Sequence, residues 1–484
     1  MAMRYILNDR YCFRGWYKLP YGILDKVKKK AVFLDRDVYM ALLKCDGAHD
    51  IDRDAMSGKV RDAFDELEAA GIVRTAARGD LLKSGQMYVE YPARYRKSVQ
   101  WSVTGRCNLA CRHCFMSAPG GKHGNPSLED LLNVVDQLAE CGIFRVSITG
   151  GEPLIRDDLL DIIDALQAMD IGIDMIYTNG WLIDEAFLDE LDRRDLNPNF
   201  QLSFDGVNCH DWLRGVPGAE ARTIHALELL KDRDCRVSVA MCIHKKNCQT
   251  IRQTVNLMAS LGVASMKCGK MMDLGEWQNP ELQDVKLTDA EEIEIFADYI
   301  PKYFEDNAPL SIMLGGAFMY TPGDDKWEIY NEMHLSDEDA DKCPSCGVLT
   351  GHFYIGADGM VAPCMGMADC GFASRFPNLK DTPLREILRD SGFVDLCYAT
   401  VGDVRSHNPE CGECLYKDRC AGGCRNSALM QGDDYFAVDK GLCEFFGNGW
   451  DEKIRASAEP AFREYIKRNP PGKKEDKEED EPFC

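Results

Sequence analysis

The sequence predicts an α/β protein centred on a partial (β/α)6 barrel, with a small winged helix-turn-helix unit before it and a metal-stapled, cysteine-rich region after it. Three observations lead there. From residue 98 to about residue 272, apolar strands and helices alternate at intervals of roughly 25–30 residues, the rhythm of successive βα units. Residues 1–95 read as strands, two helices and a terminal hairpin. Residues 341–447 are dense in Cys and Gly and poor in long periodic runs.

Taken in order, strand-like alternation covers residues 5–13 and 31–34, and a helix is expected over 37–44. The segments CDG and HDI, at Cys45 and His49, break the chain. A second helix follows with Val60, Phe64 and Leu67 on one face, and a hairpin is expected over 72–82. The barrel strands are read at 99–104, 145–149, 174–178, 200–204, 236–243 and 265–271. Ligands of such a barrel sit at the C-terminal strand ends, where the motifs fall. The resulting units are 1–95, the barrel at 96–275, a helical connector at 276–340 around DAEEIEIFADYIPKYFED, the cysteine region at 341–450, and 451–484 as a C-terminal helix with a disordered charged tail. The cysteine region is expected to lack a conventional core and to need metal to fold.

Composition narrows the function. With 57 Lys+Arg against 80 Asp+Glu, the formal charge of −23 repels nucleic acid and anionic membranes and leaves a peptide as the better partner. No apolar run is long enough for a membrane span, and the N-terminal residues carry no signal-peptide pattern, so a cytoplasmic enzyme is expected. Twenty-two cysteines in such a chain point to metal ligation rather than disulfides. Cysteines outside clusters, such as Cys45, read as small buried hydrophobes.

At the end of the first barrel strand, TGRCNLACRHCFM places Cys107, Cys111 and Cys114 in a C-x3-C-x2-C array. Three thiolates on one loop can hold three irons of a 4Fe-4S cluster and leave one open; zinc is the rival for this array alone. After the second strand comes TGGEP, with Gly150, Gly151, Glu152 and Pro153, where glycines allow close approach to a ligand and a carboxylate can receive an ammonium group. Together these residues resemble the radical S-adenosylmethionine (SAM) superfamily over residues 98–272. The resemblance implies that the open iron chelates SAM and that its cleavage gives a 5'-deoxyadenosyl radical. It also implies that Glu152 and the Gly151 backbone bind the methionine amine, that Asn179 contacts SAM, that Ser203 and Asp205 approach the ribose, and that Arg214 meets the SAM carboxylate. Alone, Asn179 could be a turn and Asp205 a helix cap.

Farther along stand Cys346, Gly359 and Cys364, then CGECLYKDRCAGGC with Cys411, Cys414, Cys420 and Cys424, and finally Cys443. Alone this could be a zinc ribbon. Beside the barrel it resembles the SPASM domain, which implies two further 4Fe-4S clusters and three in all. Cys411, Cys414, Cys420 and Cys443 would hold the outer one. Cys346, Cys364 and Cys424 would hold the inner one, with Cys343 the first candidate for its fourth ligand and Cys370 the second; an open iron that binds a substrate thiolate is the other alternative.

The N-terminal unit lacks a basic recognition helix, which argues against DNA. It resembles the leader-recognition elements of radical SAM/SPASM peptide maturases, which bind a peptide by strand addition. The implied function is hydrogen abstraction from a ribosomally made precursor peptide to form a thioether or carbon–carbon crosslink, with an electron donor such as flavodoxin or ferredoxin. Peptide epimerisation and formylglycine formation are alternatives, and a non-catalytic electron carrier is the alternative from another class. On the fifth strand, alternation puts Cys242 on the inward face, where a thiol could give a hydrogen atom to a substrate radical or line the pocket.

Overall fold

A computed structural model describes residues 3–333 and 340–470. The expected charged tail therefore lies outside the described residues. Its centre is a ten-stranded sheet. β1–β7 belong to the N-terminal unit: β1 (Met3–Leu7), β2 (Tyr11–Trp16), β3 (Leu19–Asp25), β4 (Lys30–Phe33), β5 (Asp46–Ile51), β6 (Val73–Thr75) and β7 (Val89–Tyr91). The central strands are β8 (Ser98–Ser102), β9 (Arg145–Thr149), β10 (Gly172–Thr178), β11 (Asn199–Ser203), β12 (Val237–Ile243), β13 (Ser265–Lys270), β14 (Ser311–Leu314) and β15 (Phe318–Tyr320), joined by β16 (His352–Ile355) and β17 (Val361–Ala362).

β8 to β14 lie side by side in chain order and run parallel, each pair separated by a crossover. All six expected strands are present within two residues at each end. Most of them alternate buried and half-buried residues, one face packed under the crossover helices and the other turned to the interior of the sheet's curve. On β12 the alternation reads as expected, with Val237, Val239, Met241 and Ile243 buried and Ser238, Ala240 and Cys242 half-buried. The helices have local reasons to start where they do. Ser127 accepts the Asp130 N–H at 3.2 Å while the Asp130 carboxylate takes the Ser127 N–H at 3.1 Å, a reciprocal cap for the helix Leu128–Glu140.

The unit boundaries differ from expectation. The 276–340 stretch holds its helix, Asp289–Glu305, and also β14 and β15, which extend the central sheet. The cysteine-rich region likewise gives β16 to that sheet, parallel to β8 with His352 opposite Ser98 and Ile355 opposite Trp101. It also has an apolar core of its own, built from Leu349, Tyr354, Met360, Phe376, Leu429 and Tyr435 among others, contrary to the expectation that only metal could hold it.

In the N-terminal unit the expected helices form as Arg36–Leu42 and Gly58–Ala69. The hairpin over 72–82 does not form: Val73–Thr75 pairs with β1, and the chain then runs on to β7, which lies parallel to β2. The HDI segment is not a break but part of β5, which pairs antiparallel with β1. Polar residues mask this strand, because backbone pairing rather than apolar alternation defines it. Cys45 is buried in the unit's core, and burial pushes its thiol up to about 12.

Trp16 ties the unit to the central sheet. It is wholly buried, donates Nε1–H to the Gly142 carbonyl at 3.2 Å, and meets the Tyr95 and Phe144 rings edge-on at 4.9 and 6.3 Å. Gly142 has φ +68°, and a Cβ there would stand 2.6 Å from Trp16 Nε1, so both its conformation and this contact require glycine. Replacing Trp16 with Ala should cost about 3–5 kcal/mol. Hydrogen exchange should then rise in β2, β3 and β7 while the parallel strands stay protected; protection unchanged in β2 would show that the indole does not secure the unit.

Candidate active site

The loops after β8, β9 and β10 meet around one carboxylate. Gly151 donates its N–H to the Thr104 carbonyl at 2.7 Å, and Glu152 its own to the Arg106 carbonyl at 2.8 Å. A Cβ on Gly150 would stand 2.6 Å from the Thr104 oxygen, and one on Gly151 2.1 Å from the Arg106 oxygen. These glycines thus admit the neighbouring cysteine loop at close range. Pro153 is buried and opens the short turn Pro153–Ile155.

Glu152 is 1% exposed. One of its oxygens accepts Thr178 Oγ1–H at 2.8 Å and the Leu154 N–H at 3.2 Å, and the other the Asn179 N–H at 2.7 Å. All three donors are neutral, so burial prevails and pushes the carboxyl up to about 7. An enclosed carboxylate held only by neutral donors suits an incoming ammonium group, which is the fit that the SAM amine requires. Asn179 is more than a turn: it accepts the Trp181 N–H and donates Nδ2–H to Asn108 at 2.8 Å, on the cysteine loop.

Cys107, Cys111 and Cys114 share that loop, and their charges act on one another; burial pushes Cys107 up to about 12. Arg214 reaches Cys111 Sγ with Nη1 at 3.7 Å while Nε and Nη2 both hold one Asp205 oxygen at 2.7 Å. The other Asp205 oxygen takes the Cys242 N–H at 3.0 Å. Asp205 is fully buried; although burial opposes its charge, Arg214 and His210 hold its carboxyl well below the usual range. Both Asp205 oxygens thus have partners inside the protein, and the carboxylate positions Arg214. Ser203 stands half-buried at the end of β11.

Cys242 lies beside this pair, with its sulfur, a His113 ring nitrogen and an Asp205 oxygen all within 4.8 Å of one another. Burial, then Asp205, pushes its thiol up to about 12, so it stays protonated at neutral pH. His113 was not singled out from the sequence, although its place between two cluster cysteines was a signal; its Nδ1 is buried without a partner among the described residues. His244 and Asn247 gave no such signal. Asn247 donates to the carbonyls of Asp205 and Cys242 at 2.8 Å each, which ties the two strand ends. His244 is wholly buried near the Trp212 and Trp277 rings, 5.1 and 6.3 Å away.

The C-terminal cysteines form two groups. Cys364 is acted on by the charges of Cys424 and Cys346, and burial pushes it up to about 12. Cys420 is acted on by Cys443, Cys411 and Cys414. Each group could hold a cluster. Cys370 turns its thiol to the Met367 carbonyl at 3.1 Å within the apolar core, whereas Cys343 is half-buried in the loop that precedes Cys346.

Residues 101–258 match the family described as the Radical SAM superfamily, and residues 346–415 an iron-sulfur cluster-binding domain, SPASM. The AdoMet-dependent heme synthase of Methanosarcina barkeri is 26% identical over 363 residues, 70% of this chain and 93% of that one. The PqqA peptide cyclase of Gluconobacter oxydans is 26% identical over 346 residues, 68% of this chain and 85% of its own. Streptococcus suis SuiB bound to S-adenosylmethionine shares the fold with a TM-score of 0.62 at 17% identity, covering 91% of this chain and all of SuiB. The chain is thus a radical SAM enzyme with an iron-sulfur SPASM domain. Among its relatives within that class are both a heme synthase and a peptide cyclase.

Replacing Glu152 with Gln should weaken SAM binding at least about tenfold, the worth of one charge-assisted hydrogen bond. Because the carboxyl titrates at about 7 and only its ionised form pairs with an ammonium, wild-type affinity should fall as pH drops through 7. Equilibrium binding across pH 6–8 checks both; a pH-independent wild-type affinity equal to that of the variant would remove Glu152 from the SAM site.

Proposed function

We propose that this enzyme modifies a ribosomally made precursor peptide, forming a thioether or carbon–carbon crosslink. The observation that carries the reading is the cysteine loop against Glu152 and Arg214, joined through one sheet to a second cysteine-rich region. Cys107, Cys111 and Cys114 hold the first 4Fe-4S cluster, with the parallel strands read as staves of an open barrel around it. When bound, the cluster and SAM supply the 5'-deoxyadenosyl radical. Glu152 takes the methionine amine, Arg214, steadied by Asp205, takes the SAM carboxylate, and Asn179 and Ser203 line the same cleft.

The two C-terminal groups hold two further clusters that accept the electron a closing bond must release, and Cys343 is the fourth ligand proposed for the inner one. A one-electron donor such as flavodoxin or ferredoxin would be the partner that supplies the reducing electron. The N-terminal unit takes the leader as an added strand, for which its sheets have unpaired edges at β4, β5, β6 and β7. No helix among the described residues is long and apolar enough to cross a membrane, in keeping with a reaction in the cytoplasm.

A second reading rests on the heme synthase relatives: an iron porphyrin as substrate. Anaerobic incubation with SAM, a reductant and the short peptide encoded beside the gene, in parallel with iron porphyrins, separates the two. The peptide should lose a pair of hydrogens in the mass spectrum and the porphyrins stay intact. A changed porphyrin with unchanged peptide would replace the first reading with the second. In deuterated solvent, a peptide about one mass unit heavier with deuterium at one α-carbon would indicate epimerisation, with Cys242 the thiol to test.

A further inference from the structure

Arg106 stands one residue before Cys107 and lines a cavity of about 480 Å³ with Gly120, Gly121, Gly124 and Asn125. Its backbone is fully engaged, the N–H with Thr104 Oγ1 at 3.1 Å and the carbonyl with Glu152. Its guanidinium has no hydrogen-bond or ion-pair partner among the described residues. The Asn125 amide is oriented by its neighbours: Oδ1 accepts Thr104 Oγ1–H at 2.7 Å and an Arg156 N–H at 3.2 Å, which leaves the NH2 group unspent. Around Gly120, Gly121 and Gly124 the space a Cβ would fill is open, while their N–H groups are spent on the carbonyls of Ser117, Ala118 and Gly121.

The cavity wall therefore offers the Arg106 guanidinium and the Asn125 NH2 group as donors, and no carboxylate lines it. That is unusual on a chain of net charge −23. The other fixed cations of the same loop are already committed, Lys122 to Asp369 and Arg112 to the Trp212 carbonyl at 3.0 Å. A planar guanidinium in this setting matches a carboxylate with two parallel hydrogen bonds.

We propose that this cavity is a substrate subsite for a carboxylate, with Arg106, one residue before Cys107, the residue that recognises it. The source of the carboxylate rests on the peptide reading above: an Asp or Glu side chain, or the peptide's C-terminus.

Calorimetric titration of the SAM-bound holoenzyme tests this with four probes. N-acetylglutamate α-methylamide mimics the side chain, N-acetylglycine the C-terminus, N-acetylglutamine methylamide is the neutral control, and inorganic phosphate tests a general anion site. One carboxylate probe should bind at least about tenfold tighter than the glutamine control, and the one that does names the source. Arg106→Gln should abolish that preference. Equal binding of the glutamine probe, binding of phosphate alone, or an undiminished preference in the variant would overturn the proposal. The wild-type comparison needs no variant, so it holds even if Arg106→Gln disturbs the cysteine loop. Carboxylate binding can fail while a precursor peptide is still modified, and the reverse, so the two readings fail separately.

Discussion

The buried Glu152 carboxylate is the constraint around which the site is assembled. Through its oxygens and its own N–H it joins three strand-end loops: Thr178 and Asn179 after β10, its own loop after β9, and Arg106 in the cysteine loop after β8. Burying such a group is costly unless it is hydrogen-bonded, and three neutral donors offset part of that cost without supplying a counter-charge. The remainder appears as a carboxyl that titrates near neutrality. The same residue that fixes the cysteine loop thus keeps its own capacity for a cation, which makes structure and ligand recognition a single problem.

A second buried charge is handled in the opposite way. Asp205 is paired internally with Arg214, and the pair is supported by His210, Asn247 and the Cys242 backbone. A pair this enclosed is strongly destabilising to break by removing one partner, since the other is left uncompensated. Arg214 is therefore presented to Cys111 in a fixed orientation. The cysteine loop thus lies between a buried carboxylate held by neutral donors and an arginine held by a carboxylate.

How much of this was legible in the sequence follows from what sets each feature. The six parallel strands could be read because buried strands are short apolar runs bounded by turns, and their ends located the motifs. β5 could not, because DGAHDI is polar and becomes a strand only by pairing with β1. Likewise β16 joins the sheet from the cysteine-rich region through pairing with β8, a contact between residues some 250 positions apart that no local pattern encodes. Site residue types were legible and their partners were not. The TGGEP glycines and Asp205 were legible as residue types, but the packing of the glycines against Thr104 and Arg106 and the pairing of Asp205 with Arg214 were not.

The central claim is that the loop of Cys107, Cys111 and Cys114 carries radical SAM chemistry separately from the C-terminal cysteines. Release of 5'-deoxyadenosine by reconstituted, reduced enzyme tests it most directly when wild type is compared with the triple Ala variant of these cysteines. The account predicts that the variant keeps about two thirds of the iron and releases none, since each cluster holds a similar share. Release at the wild-type rate from a variant that has lost that iron would contradict it.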